Sequence, residues 1–183
     1  MKLALASFSK EGEPVLKALL DAGCDVNNYE LNGYGEILTS SLSNSIETEN
    51  KGLFFFLLNN GAESQKGAEK KLSWAFSSPL HQAIGSGLVW AVDGLLKSGT
   101  SLLQTYYEDT VFHTAFNNIT DNTSQILELL LEAANKLPQD DALKWKLYDA
   151  FYIALKNSKL QTEHLLITWY VVNLRLSQRL HLL

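Results

Sequence analysis

The sequence predicts an all-α repeat protein, because a short apolar phrase recurs along it at a regular interval. A pair of leucines stands three residues before a glycine in three places, which end at Gly23, Gly61 and Gly99. Successive glycines in this series are 38 residues apart. A fourth copy has Ala134 in the place of the glycine, 35 residues further on. Self-similarity at such a period indicates a solenoid, in which each repeat packs mainly on its neighbours.

Each copy of this phrase predicts a helix that ends at a left-handed cap. The leucines fall on one apolar face of a helix, and a glycine just past the last turn tolerates a positive φ angle. The leucine pairs are Leu19 and Leu20, Leu57 and Leu58, Leu95 and Leu96, and Leu130 and Leu131.

A second phrase precedes two of these helices. Residues 78–84 read SPLHQAI and residues 110–116 read TVFHTAF, which place a hydroxyl residue, an apolar residue, a histidine and an alanine in the same order. Ser78 and Thr110 suit the N-cap of a helix, because their hydroxyl oxygens can accept a hydrogen bond from a backbone N–H. Pro79 suits the first helical position, because the backbone N–H that proline lacks would have no partner within the helix there.

With these two phrases the chain resembles the ankyrin repeat family, whose repeats open on T-P-L-H-x-A and recur about every 33 residues. The resemblance is best from Ser78 to Gly99, where the opening hydroxyl residue precedes the closing glycine by 21 residues, as in the family. It implies an ankyrin-like repeat solenoid of antiparallel helix pairs with hairpin-finger loops. It also implies that the chain binds another protein.

The repeat pattern divides the chain into two parts. Residues 1–134 are predicted to form four divergent ankyrin-like repeats, and residues 135–183 a helical C-terminal unit. That unit can be placed as a fifth, degenerate repeat with helices over 145–155 and 162–176. The second repeat lacks the opening phrase, so we place its start at Gly35. This makes it five residues longer than the third repeat, with the addition expected between its two helices.

Composition argues against several classes of function. The net charge of −5 disfavours nucleic acid binding, which needs clustered lysine and arginine. The single cysteine, Cys24, cannot form an internal disulfide and favours a reducing, cytoplasmic location. The apolar stretch 165–183 includes Arg175 and Arg179, whose charges make a membrane span costly. We interpret that stretch as a helix that packs against another protein or mediates self-association with a second copy of this chain.

His81 and His113 occupy the same place in successive repeats, 32 residues apart. We interpret both as structural, because the resemblance assigns this histidine to hydrogen bonds within and between repeats. No carboxylate or cysteine stands beside either one at a metal-ligand spacing. The sequence also lacks the motifs of nucleophilic catalysis, phosphate binding and zinc-dependent hydrolysis. It therefore predicts neither an enzyme nor a bound metal or cofactor.

Large aromatic residues stand in the segments that connect the repeats, where polar residues are usual. They either pack between neighbouring fingers or face a partner, since Tyr and Trp are favoured anchors in protein interfaces. Acidic residues follow the last aromatic pair and suit a basic partner. The protein-binding residues predicted for the fingers are Tyr29, Tyr34, Trp74, Phe76, Tyr106, Tyr107, Glu108 and Asp109.

Aligning the helices predicts two further surfaces. Gln82 in the third repeat corresponds in register to Thr114 in the fourth, and Asn117 lies one turn further on. In an ankyrin-like stack these residues face the concave groove, where they either bind a peptide or form an ordinary solvated face. On the outer helices, Phe55 and Trp90 stand at outward positions and predict an apolar patch on the convex side, unless a neighbouring loop covers it.

Together these features predict a protein–protein interaction module. The alternative is a structural or oligomerisation segment of a larger chain, which the apolar C-terminal stretch favours. Divergent ankyrin arrays also occur in proteins that pathogens deliver into host cells. The resemblance therefore leaves the host-cell cytosol open as a location.

Overall fold

The computed structural model describes residues 12–27, 29–31, 33, 37–64, 78–106, 109–118 and 120–136, and this part of the chain is mostly helical. Its helices are α1 (Glu13–Asp21), α2 (Ser41–Glu47), α3 (Lys51–Asn59), α4 (Pro79–Gly85), α5 (Val89–Lys97), α6 (Val111–Asn117) and α7 (Thr123–Asn135). Two short antiparallel hairpins connect them: β1 (Tyr29–Leu31) with β2 (Ile37–Ser40), and β3 (Thr105–Tyr106) with β4 (Asp109–Thr110).

The predicted helix starts are confirmed at α4 and α6. The side chain of Ser78 accepts a hydrogen bond from the backbone N–H of His81, and Pro79 takes the first helical position of α4. Thr110 accepts the equivalent bond from His113 at the start of α6. Such caps satisfy N–H groups that have no partner within the helix.

The predicted left-handed caps are confirmed after three helices. Gly23, Gly61 and Gly99 have φ angles of 89°, 84° and 87°, which place them in the left-handed region. The fourth copy is different, because Ala134 lies inside α7, which continues to Asn135. An alanine there costs nothing in a helix, so the chain has no reason to turn at that position.

The predicted start of the second repeat is wrong. The N-cap of α2 is Ser40, whose hydroxyl accepts the N–H of Ser43 at 3.0 Å. Ser40 precedes Gly61 by 21 residues, the same interval as from Ser78 to Gly99. The turn between α2 and α3 is therefore not enlarged, whereas α6 ends at Asn117 and α7 begins at Thr123, which leaves the longer connection that the sequence predicts.

The helices lie in two layers. In one, α4 packs between α2 and α6, and in the other α5 packs between α3 and α7. Each short helix of the first layer also packs against the longer helix that follows it. The buried apolar side chains between the layers include Leu42, Ile46, Phe54, Leu57, Leu80, Ile84, Val92, Leu95, Phe112, Phe116, Leu127 and Leu130.

Two helix pairs have most of their backbone hydrogen bonds in the turns and caps in common. We call residues 40–62 pair A and residues 78–100 pair B, which lie 38 positions apart. In the turn of pair A, Asn50 donates its N–H to the carbonyl of Ser45, as Leu88 does to Ala83 in pair B. Most of the other bonds of the turns and caps correspond in the same way, including Thr48 to Asn44 with Ser86 to Gln82, and Ala62 to Leu57 with Thr100 to Leu95.

Several predictions fall on other parts of the chain. The helices expected over 145–155 and 162–176, and the beginning of the first repeat, lie outside the described residues. Among the residues that are described, none of the helices combines the length and the apolar character needed to cross a membrane.

Candidate protein-binding surfaces

The hairpin β3–β4 carries part of the predicted finger surface. Tyr106 pairs with Asp109 across the hairpin, and Thr105 pairs with Thr110. Asp109 and Thr105 are exposed to solvent. For Tyr29 and Tyr106 the structure describes the strand but not the side chain, and the other predicted finger residues lie outside the described residues: Tyr34, Trp74, Phe76, Tyr107 and Glu108.

His81 fixes this hairpin to the helix layer beneath it. Its ring is 2% exposed, with Nε2 at 3.2 Å from the backbone carbonyl oxygen of Asp109 and Nδ1 at 2.6 Å from the hydroxyl of Ser78. A carbonyl oxygen only accepts hydrogen bonds, so the proton of the neutral ring is on Nε2 and Ser78 donates to Nδ1. The side chain thus joins the start of α4 to strand β4.

The burial of His81 also sets its protonation. Desolvation lowers the pKa of the imidazole below its ordinary value of 6.5, because the charged form is poorly solvated inside the protein. The hydrogen bond to the Asp109 carbonyl and the charge of the Asp109 carboxylate oppose this shift. The neutral ring is therefore favoured, as a structural role requires.

His113 has the same local geometry one repeat later. Its Nδ1 lies 2.9 Å from the hydroxyl of Thr110 and accepts the backbone N–H of Thr110 at 3.3 Å. The hydroxyl in turn caps the helix, so the two residues form a reciprocal capping box. The predicted local hydrogen bond is confirmed for both histidines, and a longer-range bond is shown for His81. In the described part of the chain, no three His, Cys, Asp or Glu residues are grouped to hold a metal ion.

The polar residues of α4 and α6 lie next to each other as the register predicts. A Cβ atom added to Gly85 would lie 3.9 Å from the side chains of Thr114 and Asn118, so the two helices approach closely here. Gln82 and Thr114 are half-buried, and Asn117 is exposed. The strip thus offers amide and hydroxyl groups on one side of the first helix layer.

The predicted pair Phe55 and Trp90 is brought together on the second layer. The two rings have centroids 6.2 Å apart, and both contact the fully buried ring of Phe54, Trp90 edge-on at 5.1 Å. Gly94 makes this packing possible, because a Cβ there would come within 2.8 Å of the Phe54 ring. Phe55 and Trp90 are half-buried, so the cluster is only partly covered.

An open groove of about 590 Å³ lies beside this cluster, between α5 and α7. We call it the outer groove. Its residues are Gly87, Leu88, Val89, Trp90, Asp93, Asn122, Gln125 and Leu129. The sequence places Trp90 at an outward position but does not join it to Leu129. The repeat pattern could have predicted this groove, because outward positions of successive helices become neighbours when the helices stack.

Leu103 is an exposed residue that sequence reasoning missed. The residue is 42% exposed. Its backbone N–H donates a hydrogen bond to the hydroxyl of Ser101. It stands two residues before strand β3, beside the predicted finger surface. The available signal is an apolar residue in a connecting segment, whereas the finger prediction includes only aromatic and acidic residues.

A scan against protein-family models finds no family that matches the chain, and a search of curated proteins finds no significant match. The resemblance to ankyrin repeats therefore stays a prediction from the sequence.

Proposed function

We propose that this chain is a protein-recognition module with an ankyrin-like stack, which binds its partner through the finger hairpins and the polar strip of the first helix layer. The observation that carries the proposal is the repetition within the structure. Pairs A and B have matching hydrogen bonds at an interval of 38 residues, and each layer continues from one pair to the next. Repeat stacks of this kind present extended surfaces for binding.

The chemistry of the hairpin β3–β4 supports this role. A hydrogen bond from a buried histidine fixes the backbone of strand β4 at Asp109, so this strand is held in place before a partner arrives. A preorganised segment loses less conformational entropy on binding than a mobile one. Leu103 supplies apolar surface and Asp109 a negative charge, a combination that fits a partner with a basic residue beside apolar ones.

The test is affinity capture with the full chain as bait, followed by mass spectrometry. The double variant Tyr106→Ala/Tyr107→Ala is compared with the parent, and Glu132→Gln serves as the control because Glu132 is exposed on α7, away from the hairpin. We expect specific partners of the parent to be lost with the double variant and kept with the control. The affinity of the purified partner should fall by roughly 1 to 4 kcal/mol if the tyrosines are anchors.

A second variant keeps the test decisive. Asp109→Asn removes the charge on β4 but retains the backbone carbonyl that His81 binds. Normal affinity in both folded variants would contradict the hairpin as the binding surface. Capture of nothing but the chain itself, with light scattering showing oligomers, would support a structural role instead.

A further inference from the structure

The outer groove is a second surface, separate from the hairpins and the polar strip. It lies on the layer formed by α3, α5 and α7, and it is bounded by the turn before α5 and the turn before α7. These two turns are joined, because the side-chain amide of Asn122 donates to the carbonyl of Gly87 at 3.0 Å. The groove is therefore a fixed feature of the packing between two helix pairs, and its volume is within the range of ligand sites.

The lining of the groove combines apolar side chains with the amides of Asn122 and Gln125 and a single charge. Leu88, Val89, Trp90 and Leu129 are half-buried and offer apolar surface, and Asp93 is the one charged residue among those that line it. The Asp93 carboxylate lies 2.7 Å from the ammonium of Lys97, but the Lys97 side chain is 75% exposed. An ion pair so open to water is weak, and a partner's cation can replace it.

Trp90 and Asp93 lie three residues apart on α5, so they are neighbours on one face of the helix. A guanidinium group suits this arrangement, because it can form two hydrogen bonds to a carboxylate and pack its flat surface on an indole. An ammonium group lacks the flat surface, and an acidic group would be repelled by Asp93. The lining thus selects arginine among charged side chains.

We propose that the outer groove binds a peptide segment of a partner protein in which an arginine stands next to aliphatic side chains. The arginine binds Asp93 and packs on Trp90, and the aliphatic side chains cover Val89 and Leu129. This surface adds to the proposed recognition function and does not depend on the hairpins.

The probe is a random heptapeptide library displayed on phage and selected on the immobilised full chain. We expect the selected peptides to be enriched in arginine flanked by Leu, Ile or Val. A selected peptide is then synthesised with its arginine replaced by Gln, and its affinity should fall by about tenfold or more. Enrichment in lysine without arginine, in acidic residues, or in no common pattern would overturn the proposal.

Two variants locate the binding site. Asp93→Asn removes the charge, and Gln125→Arg places a cation in the groove from an exposed position. Both should weaken the selected peptide by about tenfold, as expected for a lost charged contact. The matched control is Ser124→Arg, which adds the same charge at an exposed residue that does not line the groove.

Equal affinity for the parent, Asp93→Asn and Gln125→Arg would refute the site, provided that circular dichroism shows all three to be folded. The variant Asp109→Asn separates this result from the proposed function. Loss of the selected peptide with Asp109→Asn alone would assign it to the hairpin, which refutes the groove and leaves the recognition function in place.

Discussion

Pairs A and B have similar backbone hydrogen bonds, but different side chains stabilise the start of the first helix in each pair. In pair B, His81 bonds Ser78 and also reaches the carbonyl of Asp109 in the next hairpin. At the same place pair A has Ser43, whose hydroxyl lies 3.2 Å from Ser40 and is too short to extend beyond its own helix start. Both side chains thus make the local bond at the helix start, and the longer side chain of His81 also reaches strand β4.

The turns between the two helices of each pair differ in a similar way. Pair B has Gly87 at φ 68°, and pair A has Glu49 at φ 51°, a left-handed conformation that residues other than glycine adopt at a cost. Gly87 also lies tightly against Thr120, since a Cβ at this position would come within 2.7 Å of the Thr120 hydroxyl. Thr120 therefore requires a glycine at position 87 of pair B, whereas the turn of pair A tolerates the side chain of Glu49.

The largest expected effect tests that difference directly. Gly87→Ala should lower the free energy of unfolding by about 2 to 4 kcal/mol, because the left-handed backbone and the clash with Thr120 both oppose a methyl group. Glu49→Ala should be nearly neutral, since that position already carries a Cβ. Urea unfolding followed by circular dichroism measures both. Equal losses at the two positions would mean that the contact with Thr120 is unimportant.

The next effect distinguishes the two helix starts. His81→Ala should cost about 1 to 3 kcal/mol, because it leaves the Asp109 carbonyl and the Ser78 hydroxyl without this partner. Ser43→Ala, the matched change in pair A, should cost about 0.5 to 1.5 kcal/mol for its local bond. The order of the two losses in urea unfolding is the observation that matters. A larger loss at Ser43 would contradict the connecting role of His81.

Acid should weaken the structure through the same histidine. Because burial lowers the pKa of His81 in the folded chain, the unfolded chain binds the proton more readily. Stability is therefore complete above about pH 6.5 and declines as the pH falls from there toward the lowered folded pKa. The facing Asp109 carboxylate and carbonyl reduce the size of this decline. Between about pH 8 and pH 5 the free energy of unfolding should fall less for His81→Gln than for the parent, because glutamine does not titrate in this range. Identical profiles would exclude His81 as the source.

The smallest expected effect is a gain in pair A. Glu49→Gly should raise the free energy of unfolding by about 0.5 kcal/mol, because the relief of the left-handed backbone slightly exceeds the added entropy of the unfolded chain. Glu47→Gly is the control, since it makes the same change at the last residue of α2, where the backbone is helical and a glycine should cost about 0.5 kcal/mol. A loss of stability with Glu49→Gly would show that the turn is not strained.

The sequence by itself determined the features that depend on local chemistry. Ser78 and Thr110 cap their helices, and the glycines after three leucine pairs turn left-handed, as their neighbours along the chain require. The helical class followed from the same phrases, as did the local bonds of the two histidines to Ser78 and Thr110. These features were predictable because the interacting groups lie within about five residues of each other, where helix geometry fixes which atoms meet.

The start of pair A shows where local reasoning ends. Thr39, Ser40 and Ser41 can each cap a helix, so the hydroxyl residues alone leave the register open. The choice of Ser40 turns Leu42 and Ile46 into the core, where both are almost fully buried. That choice is made by the packing of α2 on α3 and α4, which no phrase in the sequence of α2 records.

Only the tertiary structure decided how the outer surface is built. The sequence placed Phe55 and Trp90 at outward positions, but the rings meet because Gly94 leaves room for Phe54 between them and the core. In the same way, the outer groove joins Trp90 and Asp93 of α5 to Leu129 of α7. The physical reason is that a surface shared by two helices depends on how closely their backbones approach, and that distance is set by side chains from several elements packing at once.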